Sequence, residues 1–297
     1  MTPRLRIAVR LLGYTVALAA LAMIGRLFVK SGASLTSVRL SAAHVAGMLL
    51  FGLVGLSFHA LLWRATLARL GLRMPLASGL RVWTLSQLTR YAPAGGVWQL
   101  LSRGYLTARE GGNAGTASAS LPLEVLIALS SGLLVALGVH LFRQALPMPQ
   151  LWLPVLAALL VPLFWKAPLQ WIASRLKVSF VSLPARTVVA LLAGYAGTWL
   201  WWGLGLCLLV QPLYPLPLAT APILSARFAL AWITGFLAIV TPSGLGVREL
   251  VMAKLFAPLL PAPAALALPL LARLWLVTCE LLGALLVHGW HRLRRRS

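Results

Sequence analysis

Four glutamates are the only acids in this chain: Glu110, Glu124, Glu249 and Glu280, with no aspartate among them. Against them stand 26 lysines and arginines, a formal net charge of +22. Glu124, Glu249 and Glu280 lie in or beside long apolar runs. A carboxylate at membrane depth costs roughly 3 kcal/mol on insertion scales, so something must offset each of them. Arg90, Arg103, Arg248 and Arg273 are the cations to consider, because a planar guanidinium fork matches a carboxylate or a phosphate equally well. The chemistry such a set supports is recognition of a phosphate-bearing group. The carboxylates would then bind an amine or hold the arginines in position.

Two breaker-rich segments carry most of these residues. The first reads Arg90-Tyr91-Ala92-Pro93-Ala94-Gly95-Gly96-Val97-Trp98-Gln99-Leu100. The second reads Thr241-Pro242-Ser243-Gly244-Leu245-Gly246-Val247-Arg248-Glu249-Leu250. Aligned on Gly-Val, they stand 150 residues apart, and the apolar span at 187–210 then falls on the span at 41–63. Half-helices that start inside a membrane present unpaired backbone N–H groups and a partial positive charge, which attract anions. Thr241 suits a cap and Pro242 a first helical turn. Gly244 and Gly246, with Pro93, Gly95 and Gly96 on the other side, would let backbone approach a headgroup. Tyr91, Trp98 and Gln99 would line the first hairpin, together with Gln87 and Tyr105.

The elements that must position these groups follow from composition. The chain has 297 residues, 60% hydrophobic and 10% charged, where soluble proteins carry about 25% charged residues. It reads as an all-α polytopic membrane protein. Apolar runs fall near 10–29, 41–63, 80–110, 114–142, 151–165, 187–210, 225–260 and 264–290. The run at 10–29 follows Arg4, Arg6 and Arg10 and is taken as a retained first span. Basic clusters at 64–81, at 166–186 and at the C-terminus place those segments and both termini in the cytoplasm, and the charge-free stretch 211–225 outside. Lys30 and Arg39 run against this scheme. With those anchors, 80–110 must enter and return from the cytoplasmic side and 225–260 from the external side. The expectation is about six spans of some 20 residues plus two opposed re-entrant helical hairpins. They form an inverted repeat, with residues 1–145 as the first half and 146–297 as the second.

Each acid also has a plainer reading. Glu249 directly follows Arg248, so the two point about 100° apart on a helix, and Glu249 is then a structural ion-pair partner within the hairpin. Arg273 and Glu280 share a face of the last helix but lie roughly 10 Å apart along it, so each needs a partner on another element. Glu124, two residues after Pro122, suits a first helical turn. Glu110, beside Gly111 and Gly112, reads as an exposed loop acid. Trp83, Trp152, Trp165, Trp171, Trp199, Trp201 and Trp202 read as interface belts. Cys207 and Cys279 read as buried, reduced packing residues.

Several function classes are excluded or weakened. The basic residues are spread through short loops, so nucleic acid is not an expected partner. Without aspartate there is no Asp-rich diphosphate site, and His44, His59 and His140 have no metal-ligand spacing. Ser243 superficially suits a nucleophile turn, but no histidine lies near it in sequence. No ATP-binding motif is present, and no cofactor or metal is expected.

In these two motifs the chain resembles the membrane domain of lysylphosphatidylglycerol synthases and its stand-alone, flippase-like relatives. The resemblance rests on Tyr91-Ala92-Pro93-Ala94-Gly95-Gly96-Val97-Trp98, on Pro242-Ser243-Gly244-Leu245-Gly246-Val247-Arg248-Glu249, and on Arg273 in the last helix. It implies a lipid-translocating module of a bacterial-type inner plasma membrane. The soluble aminoacyl-transfer domain of the bifunctional members is missing, so synthase activity is not implied. The leading expectation is a flippase that moves an anionic or aminoacylated phospholipid, or a lipid-linked precursor, between leaflets. Arg90, Arg103, Arg248, Arg273 and the hairpin N-termini would bind phosphate, with Glu124, Glu249 and Glu280 as the carboxylates of the cavity. Membrane lipids are the expected partners, with a separate synthase or biosynthetic enzyme and a second copy of the chain as further ones. The alternatives are a membrane enzyme that modifies lipid or lipid-linked sugar, with Glu249 as general acid or base, and a non-transporting assembly subunit.

Overall fold

The computed structural model describes residue 26 and residues 41–91, 95–143, 149–164, 183–238 and 244–294. Within them the regular structure is entirely helical. The helices are α1 (Ala42–Arg69), α2 (Leu76–Leu88), α3 (Gly95–Arg109), α4 (Ala114–Arg143), α5 (Pro149–Phe164), α6 (Ala185–Val210), α7 (Ala221–Leu237), α8 (Val247–Phe256) and α9 (Ala262–Arg294), with short 3-10 turns at Thr89–Tyr91 and Leu218–Thr220. Five stretches are long and apolar enough to cross a membrane: Ala42–Arg69, Ala114–Arg143, Ala185–Val210, Leu218–Leu237 and Ala262–Trp290. The chain is on this ground a multi-pass, all-helical membrane protein.

The spans differ from the expected set in one place, and two of the expected spans are only partly described. Of the first expected span, 10–29, only residue 26 is described. The run at 151–165 falls on α5, Pro149–Phe164, and the segments on both sides of it lie outside the described residues. Leu218–Leu237, read from sequence as part of a loop and a hairpin arm, is long enough to cross by itself. Pro222 sits in the first turn of α7, where its missing N–H costs nothing, so the helix starts earlier than the charge-free stretch suggested.

Four helices are followed, after α5, by four helices with the same packing partners. α1 packs on α2, α2 on α3 and α3 on α4; likewise α6 packs on α7, α7 on α8 and α8 on α9. Between the sets, α2 contacts α9 as α7 contacts α4, and α1 contacts α9 as α6 contacts α4. The seam is α1 against α6. Gly205 faces Phe51, Gly55 faces Trp202, and Gly194 faces Leu62, so residue numbers rise along one helix as they fall along the other. The two equivalent helices are therefore antiparallel.

Each set contains a helical hairpin, α2 with α3 and α7 with α8. In the first, Gln99 Nε2 donates to Gln87 Oε1 at 2.8 Å, Thr89 Oγ1 and Ser102 Oγ stand 3.0 Å apart, and Arg103 Nε donates to Ser86 Oγ at 3.3 Å. α3 thus folds back along α2. In the second, Arg227 donates to the Leu255 carbonyl, and Gly235 abuts the base of Arg248. α8 has 10 residues, about 15 Å of helix, too few to cross.

α3 is built inside out. Its polar residues Arg103 and Thr107 are buried, and Gln99 and Ser102 are half-buried. Val97, Trp98, Leu101 and Tyr105, one helical face by their spacing, are exposed. In water this arrangement would be the reverse.

Of the tryptophans read as interface belts, Trp83, Trp199 and Trp202 turn inward, while Trp152 and Trp201 are half-buried. Trp63, Trp83, Trp199, Trp202 and Trp275 are buried. Their indole N–H groups reach Ser120 Oγ, Glu124 Oε1, the Ala128 carbonyl, His59 Nε2 and the Met48 carbonyl at 2.7–3.0 Å. Trp201 stacks on Phe51 with ring centroids 4.0 Å apart. An indole fills space between helices and satisfies its one donor there, which makes it as suited to the core as to an interface. Trp165 and Trp171 lie outside the described residues. Cys207 and Cys279 are buried free thiols.

Candidate functional site

Every glutamate has an arginine partner, and every pair joins two elements or the ends of a hairpin. Glu110 pairs with Arg81 and accepts from Ser78 Oγ at 2.7 Å. This corrects the expectation of an exposed loop acid: the loop after α3 folds back on the start of α2 and covers the carboxylate. Glu124 pairs with Arg103 and accepts from Trp83 Nε1 at 2.8 Å. Glu124 is not in a first turn, since α4 begins at Ala114 and Pro122 lies inside the helix.

Arg103 is fully buried, its side chain 0% exposed, and its guanidinium lies over the Trp63 ring at 4.8 Å. Arg103 and Glu124 thus join α3 to α4, with the guanidinium buried between the helices.

The remaining two glutamates define that site. Arg90, at the tip of the first hairpin, pairs with Glu280 of α9 and donates to Gln87 Oε1 at 3.2 Å. Tyr91 OH donates to the second oxygen of Glu280 at 2.8 Å. Seven residues earlier on α9, Arg273 donates to Glu249 Oε1 at 2.6 Å. Arg273 and Glu280 each find a partner on another element, one from each hairpin. α9 is the shared strut: its one face holds the tip of α2 and the start of α8.

Glu249 has a second task. Its Oε2 accepts the Gly246 backbone N–H at 2.7 Å, a carboxylate reaching back from the third helical position to cap its own helix. The Gly-x-x-Glu spacing was a visible signal for this cap. The expectation that backbone donors here would serve a ligand is modified, because the helix supplies its own anion to one of them.

Arg248 is left with the least. Its Nε stands 3.6 Å from Glu249 Oε1, beyond hydrogen-bond length, and among the described residues its guanidinium makes no hydrogen bond. It lies within electrostatic reach of Arg90, Tyr91 and Arg273. Its side chain is 12% exposed.

The glycines serve packing. Gly244 and Gly246 have φ of +68° and +81°, a region that favours glycine. A Cβ on Gly244 would stand 2.6 Å from the Gly235 carbonyl oxygen, and one on Gly235 would stand 2.8 Å from Arg248 Cβ. Gly235 was missed from sequence, where it is one small residue in an apolar run. Gly244 was expected to admit a headgroup; it admits Gly235 instead. Gly244→Ala is expected to cost about 2 kcal/mol through backbone strain and overpacking and to shift Arg248, read as a lower survival temperature of the folded peak in detergent.

The other candidates are dispersed. Trp98 is exposed and points away from the cluster with the outer face of α3. Gly95 opens α3, Gly96 has open space beside it, and Gln99 reaches the site only through Gln87 and Arg90. Pro93, Thr241, Pro242 and Ser243 lie outside the described residues. No group of three or more metal-ligating side chains occurs among the described residues. Compared with protein-family models and with curated proteins, the chain matches none.

Proposed function

We propose that this chain is a flippase-like transporter that moves an anionic phospholipid or a lipid-linked precursor between leaflets. The observation that carries the reading is the convergence of Arg90, Arg248 and Arg273, brought by two hairpins and one long helix from three distant parts of the chain. Three guanidinium groups held by only two carboxylates make a site for an anion. Glu249 and Glu280 keep the arginines positioned, the second of the two roles their chemistry suggested.

The surrounding architecture supports a lipid substrate. In this reading α2–α3 and α7–α8 are re-entrant hairpins that enter from opposite sides, the first cytoplasmic and the second external. Together with about six spans they form an inverted repeat in a bacterial-type inner membrane, with both termini cytoplasmic. The antiparallel α1–α6 seam and the matching packing partners of the two sets favour it, as does α3, whose apolar face is turned outward as toward lipid. Antiparallel repeats that meet at the bilayer midplane allow one half to rock against the other and expose the same site to each leaflet in turn. The resemblance to the stand-alone lysylphosphatidylglycerol synthase membrane domain points the same way.

The test is headgroup translocation of fluorescent phospholipid in proteoliposomes. Arg248→Ala is expected to slow translocation at least about tenfold, the loss of one charge-assisted hydrogen bond, with unchanged elution on size exclusion. Equal rates for a folded Arg248→Ala protein would remove the central site from this reading.

A further inference from the structure

The acids available to the cluster are counted by the sequence itself. Only four acids exist in the chain, and two of them, Glu110 and Glu124, are paired with Arg81 and Arg103. Glu124 also lies within electrostatic reach of Arg90, but its charge is met by Arg103. That leaves Glu249 and Glu280 as the acids paired with Arg90, Arg248 and Arg273. Among the described residues, three positive and two negative side chains leave one positive charge.

Each oxygen of the two carboxylates already accepts a donor. Glu280 takes Arg90 on one oxygen and Tyr91 on the other. Glu249 takes Arg273 on one and the Gly246 N–H on the other. An ammonium group would have to share an oxygen with a donor already in place. Among the described residues of the cluster, the least-bonded fork is that of Arg248.

Resting on the phospholipid reading above, we infer that the site is charge-matched to a phosphodiester monoanion. A diester phosphate carries one negative charge and brings the cluster to neutrality, with two oxygens for the Arg248 fork. A phosphomonoester at pH 8 carries about two charges, its second pKa being about 6, and leaves an uncompensated negative charge out of water. A zwitterionic or aminoacylated headgroup brings a cation to a site that already carries an excess positive charge, where each carboxylate oxygen has a donor. The structure thus selects the anionic member of the expected substrates over the aminoacylated one.

The experiment measures binding of dioctanoyl lipids to the full-length protein in detergent at pH 8. Phosphatidylglycerol is the diester monoanion, phosphatidic acid the monoester and phosphatidylethanolamine the zwitterion. Glycerophosphoglycerol is the diester without its chains. Phosphatidylglycerol is expected to bind at least about tenfold more tightly than the other two lipids, a difference of one decade in affinity. Arg248→Gln removes the excess charge and is expected to abolish the preference. Glu280→Gln raises the cluster by one charge and is expected to reverse the order in favour of phosphatidic acid. Glu249→Gln does the same by an independent route if Glu280→Gln fails to fold.

Phosphatidic acid binding as tightly as phosphatidylglycerol in the parent would overturn charge matching, as would an unchanged order in both glutamine variants. Lipid binding insensitive to Arg248→Gln would remove the phosphate site itself. Glycerophosphoglycerol binding as tightly as the lipid would keep the phosphodiester and overturn the lipid.

Discussion

Arg103→Met is expected to be among the most destabilising single changes in the protein, at about 3–5 kcal/mol, because it leaves a buried carboxylate without its cation. Glu124 would retain Trp83 as a donor, and α3 would lose its charged tie to α4. The double variant Arg103→Met, Glu124→Gln is expected to recover most of the loss. The glutamine oxygen still accepts from Trp83, and no charge remains to be compensated. Arg103 Nη2 is already buried without a hydrogen-bond partner, so its removal also relieves an unsatisfied donor. The fraction of protein that survives a heating series as a single peak in detergent measures both effects. A double variant no more stable than the single one would show that the guanidinium acts through its contact with Trp63 and not through Glu124.

Glu249→Ala is the second large effect, again about 3–5 kcal/mol by the same physics. One carboxylate leaves, and three donors lose it: the Arg273 guanidinium, the Gly246 N–H and, at longer range, Arg248. Two like charges then face each other across α8 and α9 with nothing between them. Glu249→Gln separates the contributions, because a glutamine still reaches back to the Gly246 N–H while the charge is gone. It is expected to lose about 1–2 kcal/mol less than the alanine, roughly the worth of a helix cap. The same heating series read at low and high salt distinguishes them. Added anions are expected to stabilise Glu249→Ala more than the parent, since the exposed pair of arginines gains a counter-ion. An alanine variant as stable as the parent would place Glu249 outside the structural network of the site.

How much of this was legible in the sequence depended on range. Glycines and prolines mark where helices stop, so the turns after Arg90 and before Val247 were visible as breaker runs. Scarcity also spoke: four acids against many arginines meant that each acid needed a partner, and Arg273 and Glu280 were too far apart along one helix to serve each other. Which partner each one found was not legible. Arg90 and Glu280 are brought together across 190 residues, and no local pattern records that. The tryptophans misled because hydropathy gives an aromatic residue no direction; only packing turned Trp83 inward onto Glu124. The start of α7 misled because charge marks loops well, while an uncharged stretch marks either a loop or a helix. Arg103 looked like a phosphate ligand because its fork is the right shape; burial gave it to a glutamate instead.

The inside-out α3 imposes an order on the birth of the protein. A peptide of 15 residues that carries Arg103 and Gln99 cannot partition into a bilayer alone, since arginine at the centre of a helix opposes insertion by about 2.5–3.5 kcal/mol. Its compensating charge, Glu124, is synthesised later, in α4. If α2–α3 is the re-entrant hairpin proposed above, its entry into the bilayer is expected to follow the synthesis of α4, which brings Glu124 to complete the pair.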